Sequence, residues 1–147
     1  MKLGPAVLLT ALAGTLVAMQ APVNGRLRLS VGTFQAAAIS FAIGLSVLVV
    51  LAAVTGGGLG AMGRLGDGPW WMLIGGLLGA AYVSSVLVTV RTLGAGAVVG
   101  ATIAGQLTMS VVIDHFGWLG VARHPVTAMR VVGVVLLGLG VFLVVRD

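Results

Sequence analysis

Five apolar stretches, each long enough to cross a lipid bilayer as a helix, dictate what this chain can fold into. A hydrocarbon core of about 30 Å takes about 20 helical residues to span. The stretches run about 3–24, 34–55, 70–91 (apolar as far as Thr89), 95–116 and 128–145. The last is somewhat short but still able to span. The short connections leave no room for a soluble domain, so the reading is one transmembrane domain over 1–147. Only 7% of residues are charged, against roughly 25% in an ordinary soluble domain. The expected fold class is all-α: a polytopic membrane protein with five transmembrane helices.

What the chain lacks removes most chemistry. It has no Cys and no Glu, and its acids are Asp67, Asp114 and Asp147. Disulfides, thiolate metal sites and cysteine nucleophiles are therefore excluded. His115 and His124 are too few and too poorly spaced for a metal site. No carboxylate pair or Ser–His–Asp arrangement can be assembled, so the chain reads as no enzyme, with no catalytic residues and no cofactor. The sequence pI near 11.6 suggests nucleic acid at first sight. The basic residues, however, are scattered at the ends of apolar segments, where they snorkel to headgroups, and no basic patch forms.

One polar pattern stands out inside the apolar runs. Thr102, Gln106, Ser110 and Asp114 recur at four-residue spacing in TIAGQLTMSVVIDHFG, which stacks them on one helix face. Such a stripe cannot face hydrocarbon cheaply; it should face other helices, a wet cavity or a ligand. In the first span Gln20 and Asn24 share a face, and Pro22 between them suggests a polar, kinked helix end. A secretory signal is the weaker reading of this segment, because four further spans follow. In the second span Ser40, Phe41 and Gly44 read first as a small-residue packing groove, although Ser40 is also a candidate ligand contact. Gly56–Gly68 reads as a flexible surface loop, without the lysine and hydroxyl spacing of a phosphate-binding loop.

Trp70 and Trp71 open the third span at the headgroup level. Gly75 and Gly79 invite close approach of a helix, and Tyr82 needs either a partner for its hydroxyl or a cavity. Arg91-Thr92-Leu93-Gly94 should turn the chain into an antiparallel hairpin. Gly96, Gly100 and Gly105 line the fourth span, and Gly133 with Gly140 marks a packing or dimer face on the fifth. Asp114 and Arg130 fall where the fourth and fifth spans meet, and a structural ion pair is the preferred reading over a proton-carrying Asp114. His115 needs no special role.

The charges also speak to orientation. Lys2, Arg64, Arg123 and Arg130 fall on one side of the membrane, and Arg26, Arg28, Arg91 and Arg146 on the other. Cytoplasmic loops normally hold the excess of Lys and Arg. A balanced tally lets the chain insert both ways round. An odd number of spans inserted both ways would form an inverted repeat with a site at the repeat interface, as alternating-access transporters do.

These residues carry a family likeness. Gln20 with Asn24, Ser40-Phe41 with Gly44, Gly75-Gly76, Gly79, Tyr82-Val83, Gly105-Gln106-Leu107, Ser110, Asp114-His115-Phe116-Gly117, Arg130 and Gly133 are the matching pieces. By them the chain resembles the small five-span YdcZ-type members of the drug/metabolite transporter superfamily, relatives of the EamA-type carriers. The resemblance covers essentially the whole chain and is sharpest in the fourth span. It implies an antiparallel dimer, of one dual-topology chain or of two paired paralogues, forming an inverted-repeat ten-helix assembly in a bacterial-type cytoplasmic (inner) membrane. It implies transport only by analogy. Small relatives that export cationic drugs use a membrane-embedded Glu in the first span. Gln20 is offered here instead, which puts proton-coupled cation export in doubt.

The resulting expectation is a transporter for a hydrophobic or amphipathic small molecule, a lipid among the candidates. Its site would be lined by Gln20, Asn24, Ser40, Tyr82, Thr102, Gln106 and Ser110, with Gly44, Gly75, Gly79, Gly105 and Gly133 packing helices. Its partners would be a second copy or a paralogue, membrane lipids and cargo, with no nucleic acid. A dual-topology ion channel, a proton-coupled exporter of cationic drugs, and a subunit without transport are the competing readings.

Overall fold

A computed structural model describes residues 3–55 and 58–146, so Lys2, Gly56, Gly57 and Asp147 lie outside the described residues. Those described form helices and no strand. Four α-helices carry the fold: α1 Leu3–Val31, α2 Thr33–Val54, α3 Gly75–Phe116 and α4 Ala128–Arg146. Four helical stretches are long and apolar enough to cross a membrane, the third being the 47 residues Trp70–Phe116, where a 3₁₀ turn, Trp70–Ile74, leads into α3. The described residues divide into two compact units, one ending at Thr89 and the other beginning at Val90. The boundary falls just before the one non-helical residue inside α3.

Two boundaries differ from expectation for identifiable reasons. The helix does not end near Asn24: α1 runs through Pro22 to Val31. Proline forfeits one backbone bond, but it does not end a helix whose later turns are held by other contacts. The stop is Gly32, at φ 94 and ψ 168, a backbone conformation that disfavours any residue with a Cβ. Its N–H donates to the Arg28 carbonyl at 2.9 Å and its carbonyl accepts from Ala36 N–H at 3.0 Å. One residue therefore closes α1 and opens α2. The connection expected to be a Gly-rich loop is instead a 3₁₀ stretch over Leu59–Asp67.

Between the third and fourth apolar stretches, Thr92 and Leu93 remain helical and only Gly94 departs, at φ 78 and ψ 160. Of the residues expected to turn the chain, Gly94 alone has non-helical backbone angles. In the second unit α3 ends at Gly117 in the left-handed conformation, φ 66 and ψ 33, a common helix stop. Thr127 caps α4, its hydroxyl accepting from Arg130 N–H at 3.3 Å.

Inside the first unit Ala36, Ala37, Val83 and Leu87 form the core, with Leu27 and Tyr82 packed against it. The apolar span of α4 is 0% buried, and those of α1 and α2 are 6% buried. Apolar faces this extensive are stable only against lipid or another subunit.

Candidate functional site

The first unit concentrates polar groups along the α1–α2 hairpin. Asn24, 6% exposed, is the one buried polar side chain among the described residues. Its amide nitrogen donates to the Ser40 hydroxyl at 3.1 Å. The Ser40 bond is unusual in this chain. Ser46, Ser85, Thr89 and Thr108 instead donate back to the carbonyl four residues earlier, at 2.8–2.9 Å. Hydroxyls that turn back in this way satisfy themselves within their own helix, and Ser40 reaches across to another.

Two spaces flank this pair. The smaller, about 10 Å³, is lined by Val17, Gln20, Ala21, Asn24, Tyr82, Val83, Val86 and Leu87. That is room for about one water. Tyr82, half-buried, lines it. The larger is an open groove of about 350 Å³ lined by Gln20, Ser40, Phe41, Gly44, Leu45 and Leu48, within the range of small-molecule sites. Gln20 borders both. The structure thus gathers Gln20, Asn24, Ser40 and Tyr82, and puts the cargo-sized space beside Phe41 and Gly44. The sequence favoured helix packing there; no described atom stands within 4 Å of where a Cβ on Gly44 would lie.

Sequence reasoning counted Arg28 as a charge and missed it as a neighbour of this site. Gln20, Asn24 and Arg28 follow one another at four-residue spacing on a helix that continues unbroken through all three. The half-buried Arg28 guanidinium donates to the backbone carbonyl of Leu87, a residue that itself lines the smaller cavity. The spacing alone could have signalled this, had the helix not been ended at Asn24.

In the second unit the polar stripe is divided in use. Thr102 is half-buried, while Gln106 and Ser110 are exposed. Asp114 is paired: its carboxylate lies 3.2 Å from the Arg130 guanidinium, with the two side chains 34% and 37% exposed. Around that pair the connection to α4 is tied onto the end of α3. His124 N–H donates to the Asp114 carbonyl at 2.8 Å, Arg123 Nε to the His115 carbonyl at 3.0 Å, and Val126 N–H to His115 Nδ1 at 3.2 Å. His115 therefore holds the connection in place, and Phe116 stacks on Trp118 beside it.

The packing glycines fall into two sets. A Cβ on Gly79 would meet the Phe41 ring at 3.5 Å, and one on Gly100 would meet Val141 at 3.3 Å. At Gly75, Gly105 and Gly133, by contrast, no described atom lies within 4 Å of where a Cβ would stand.

Membrane-length helices with apolar outer faces, and an amide–hydroxyl pair beside an open groove, define a polytopic helical protein of the membrane. Its sequence places it further: the chain belongs to the family described as "putative inner membrane exporter, YdcZ", whose model matches residues 5–143. It is an integral protein of the inner membrane and a member of a membrane transporter family. Neither the curated proteins nor the solved structures contain a match to it.

Proposed function

We propose that this chain carries a hydrophobic or amphipathic small molecule, a membrane lipid among the candidates, through a cavity at the interface of an antiparallel pair of copies. The observation that carries the reading is the 350 Å³ groove, polar at Gln20 and Ser40 and apolar at Phe41, Leu45 and Leu48. A site of this mixed character suits a molecule with one polar end. Asp114 is engaged by Arg130, which favours a positioning role for it over proton coupling, and no catalytic constellation accompanies the groove among the described residues.

The same proposal includes five crossings. Trp70–Phe116 has 47 residues, about 70 Å as a helix at 1.5 Å per residue. That is over twice the hydrocarbon thickness, and Gly94 is the place where the stretch would turn to cross again. Five crossings and a balanced charge tally support dual insertion, an inverted ten-helix pair, and exposed Gln106 and Ser110 as surfaces for a partner copy or cargo.

The test is flux of labelled amphiphiles in liposomes containing purified protein, together with Gln20→Leu, Tyr82→Phe and Gln106→Ala. Cargo-dependent flux without ionic conductance, reduced by these substitutions, is expected. Single-channel currents would replace the carrier with a pore. Tags on both termini that report a single orientation would end the dual-insertion part.

A further inference from the structure

The α1–α2 hairpin is graded along its length. Arg28 is the position nearest the Gly32 joint, and its guanidinium reaches the Leu87 carbonyl. One turn away is the Asn24–Ser40 pair, a further turn away Gln20 beside Gly44, and beyond them Leu45 and Leu48. From Arg28 to Gln20 is about 12 Å along the helix at 1.5 Å per residue. A cation at one end, neutral hydrogen-bonding groups in the middle and an apolar groove at the other match the shape and polarity of a single-chain amphiphile.

The charge decides which amphiphile. Among the described residues the ion pair is Arg130 with Asp114, and Arg28 has no carboxylate partner. Its one hydrogen bond in the described structure goes to the Leu87 carbonyl. A guanidinium presents several N–H donors in a fixed fork suited to carboxylate and phosphate oxygens, so donors remain after that bond is made. Half-buried cations are costly without a counter-charge. Resting on the carrier reading above, we infer that the preferred cargo is an anionic single-chain amphiphile. Its carboxylate or phosphate head is held by Arg28, and its tail lies in the groove over Phe41, Gly44, Leu45 and Leu48. Cationic amphiphiles are disfavoured by the same guanidinium.

The experiment measures retention of labelled laurate, dodecyl phosphate, dodecyltrimethylammonium and dodecyl maltoside on immobilised protein in phosphatidylcholine nanodiscs, with empty nanodiscs subtracted. Laurate or dodecyl phosphate should bind about tenfold or more tightly than the cationic and neutral probes, the size of one charge-assisted contact. Arg28→Gln should remove that preference, and Arg28→Lys should keep part of it, which separates lost charge from lost fold. The ratio of laurate to dodecyl phosphate tells carboxylate from phosphate recognition. Equal binding of all probes that is lost in Gln20→Leu, with Arg28→Gln silent, would overturn the anionic preference and leave the carrier standing. Preference for the cation would overturn it as well. Retention of none of the probes would overturn both, and a groove closed by a second copy would show itself in that case as a cross-link between groove residues of two chains.

Discussion

The two units handle polarity in opposite ways. In the first, uncharged groups meet across helices: Asn24 is buried and bonded to Ser40, beside spaces lined by Gln20 and Tyr82. In the second, charged and backbone groups meet at a helix end, where Asp114, His115, Arg123, His124 and Arg130 fasten a connection. Both members of the ion pair are just over a third exposed, so solvent screens it. The amide–hydroxyl pair has no such relief. A polar group retained where it costs most, next to an open groove, is a stronger indication of function than a charge pair at a wet rim.

The largest effect should therefore come from the first unit. Ser40→Ala leaves a buried Asn24 amide without its partner, a loss of about 1–2 kcal/mol. The double variant Asn24→Leu/Ser40→Ala should recover part of it. Thermal unfolding in detergent measures both. A Ser40→Ala protein as stable as the parent would erase the contrast between the units.

Next comes Gly94→Ala, in the second unit just past the boundary between the two. At φ 78 and ψ 160 an added Cβ costs about 1–2 kcal/mol. Asn is tolerated in the left-handed helical region, but at ψ 160 the backbone lies in a region kept almost entirely for glycine, so Gly94→Asn should cost about as much as Gly94→Ala. Equal unfolding temperatures for Ala, Asn and Gly would show that the positive φ is not required there.

Much of this was legible in the residues, and the exceptions have physical causes. The helix limits at Thr33–Val54 and Ala128–Arg146 follow from apolar runs bounded by glycine and by a capping Thr127, signals that are local in sequence. The meeting of Asp114 with Arg130 was readable because both lie near helix ends joined by a short connection. The end of α1 was misplaced because Pro22 is the stronger local signal, whereas the real stop, Gly32, acts through a backbone angle. That error hid Arg28. The groove was hidden differently: Ser40, Phe41 and Gly44 look the same in sequence whether a helix or a ligand lies over them, and the open space around Gly44 is visible only in the structure.

A smaller loss is expected in the second unit. Asp114→Asn removes the charge attraction to Arg130 but keeps an acceptor oxygen, and the Asp114 carbonyl still accepts from His124. For a pair this exposed the cost should be about 0.2–1 kcal/mol, falling as salt is raised for the parent protein. If Asp114→Asn instead destabilises more than Ser40→Ala, the ranking of the two units reverses, and Asp114 regains standing as a functional acid.

The smallest effect is the sharpest control. Ser85 is exposed, and its hydroxyl donates to the Ala81 carbonyl at 2.8 Å, inside its own helix. Removing it leaves that carbonyl with its backbone partner and opens no cavity, so Ser85→Ala should shift stability by about 0.5 kcal/mol or less. Ser40→Ala makes the same chemical change, deleting one hydroxyl from a helix of the same unit, and differs only in where the hydroxyl points. Measured side by side, the two variants isolate the value of reaching across to Asn24 from the value of a serine in a membrane helix. A gap of about 1 kcal/mol or more would establish the α1–α2 pair as the polar anchor of the groove. Equal shifts would mean that the hairpin holds without it, and the groove would then have to owe its form to the Gly32 joint and the Ala36–Leu87 core alone.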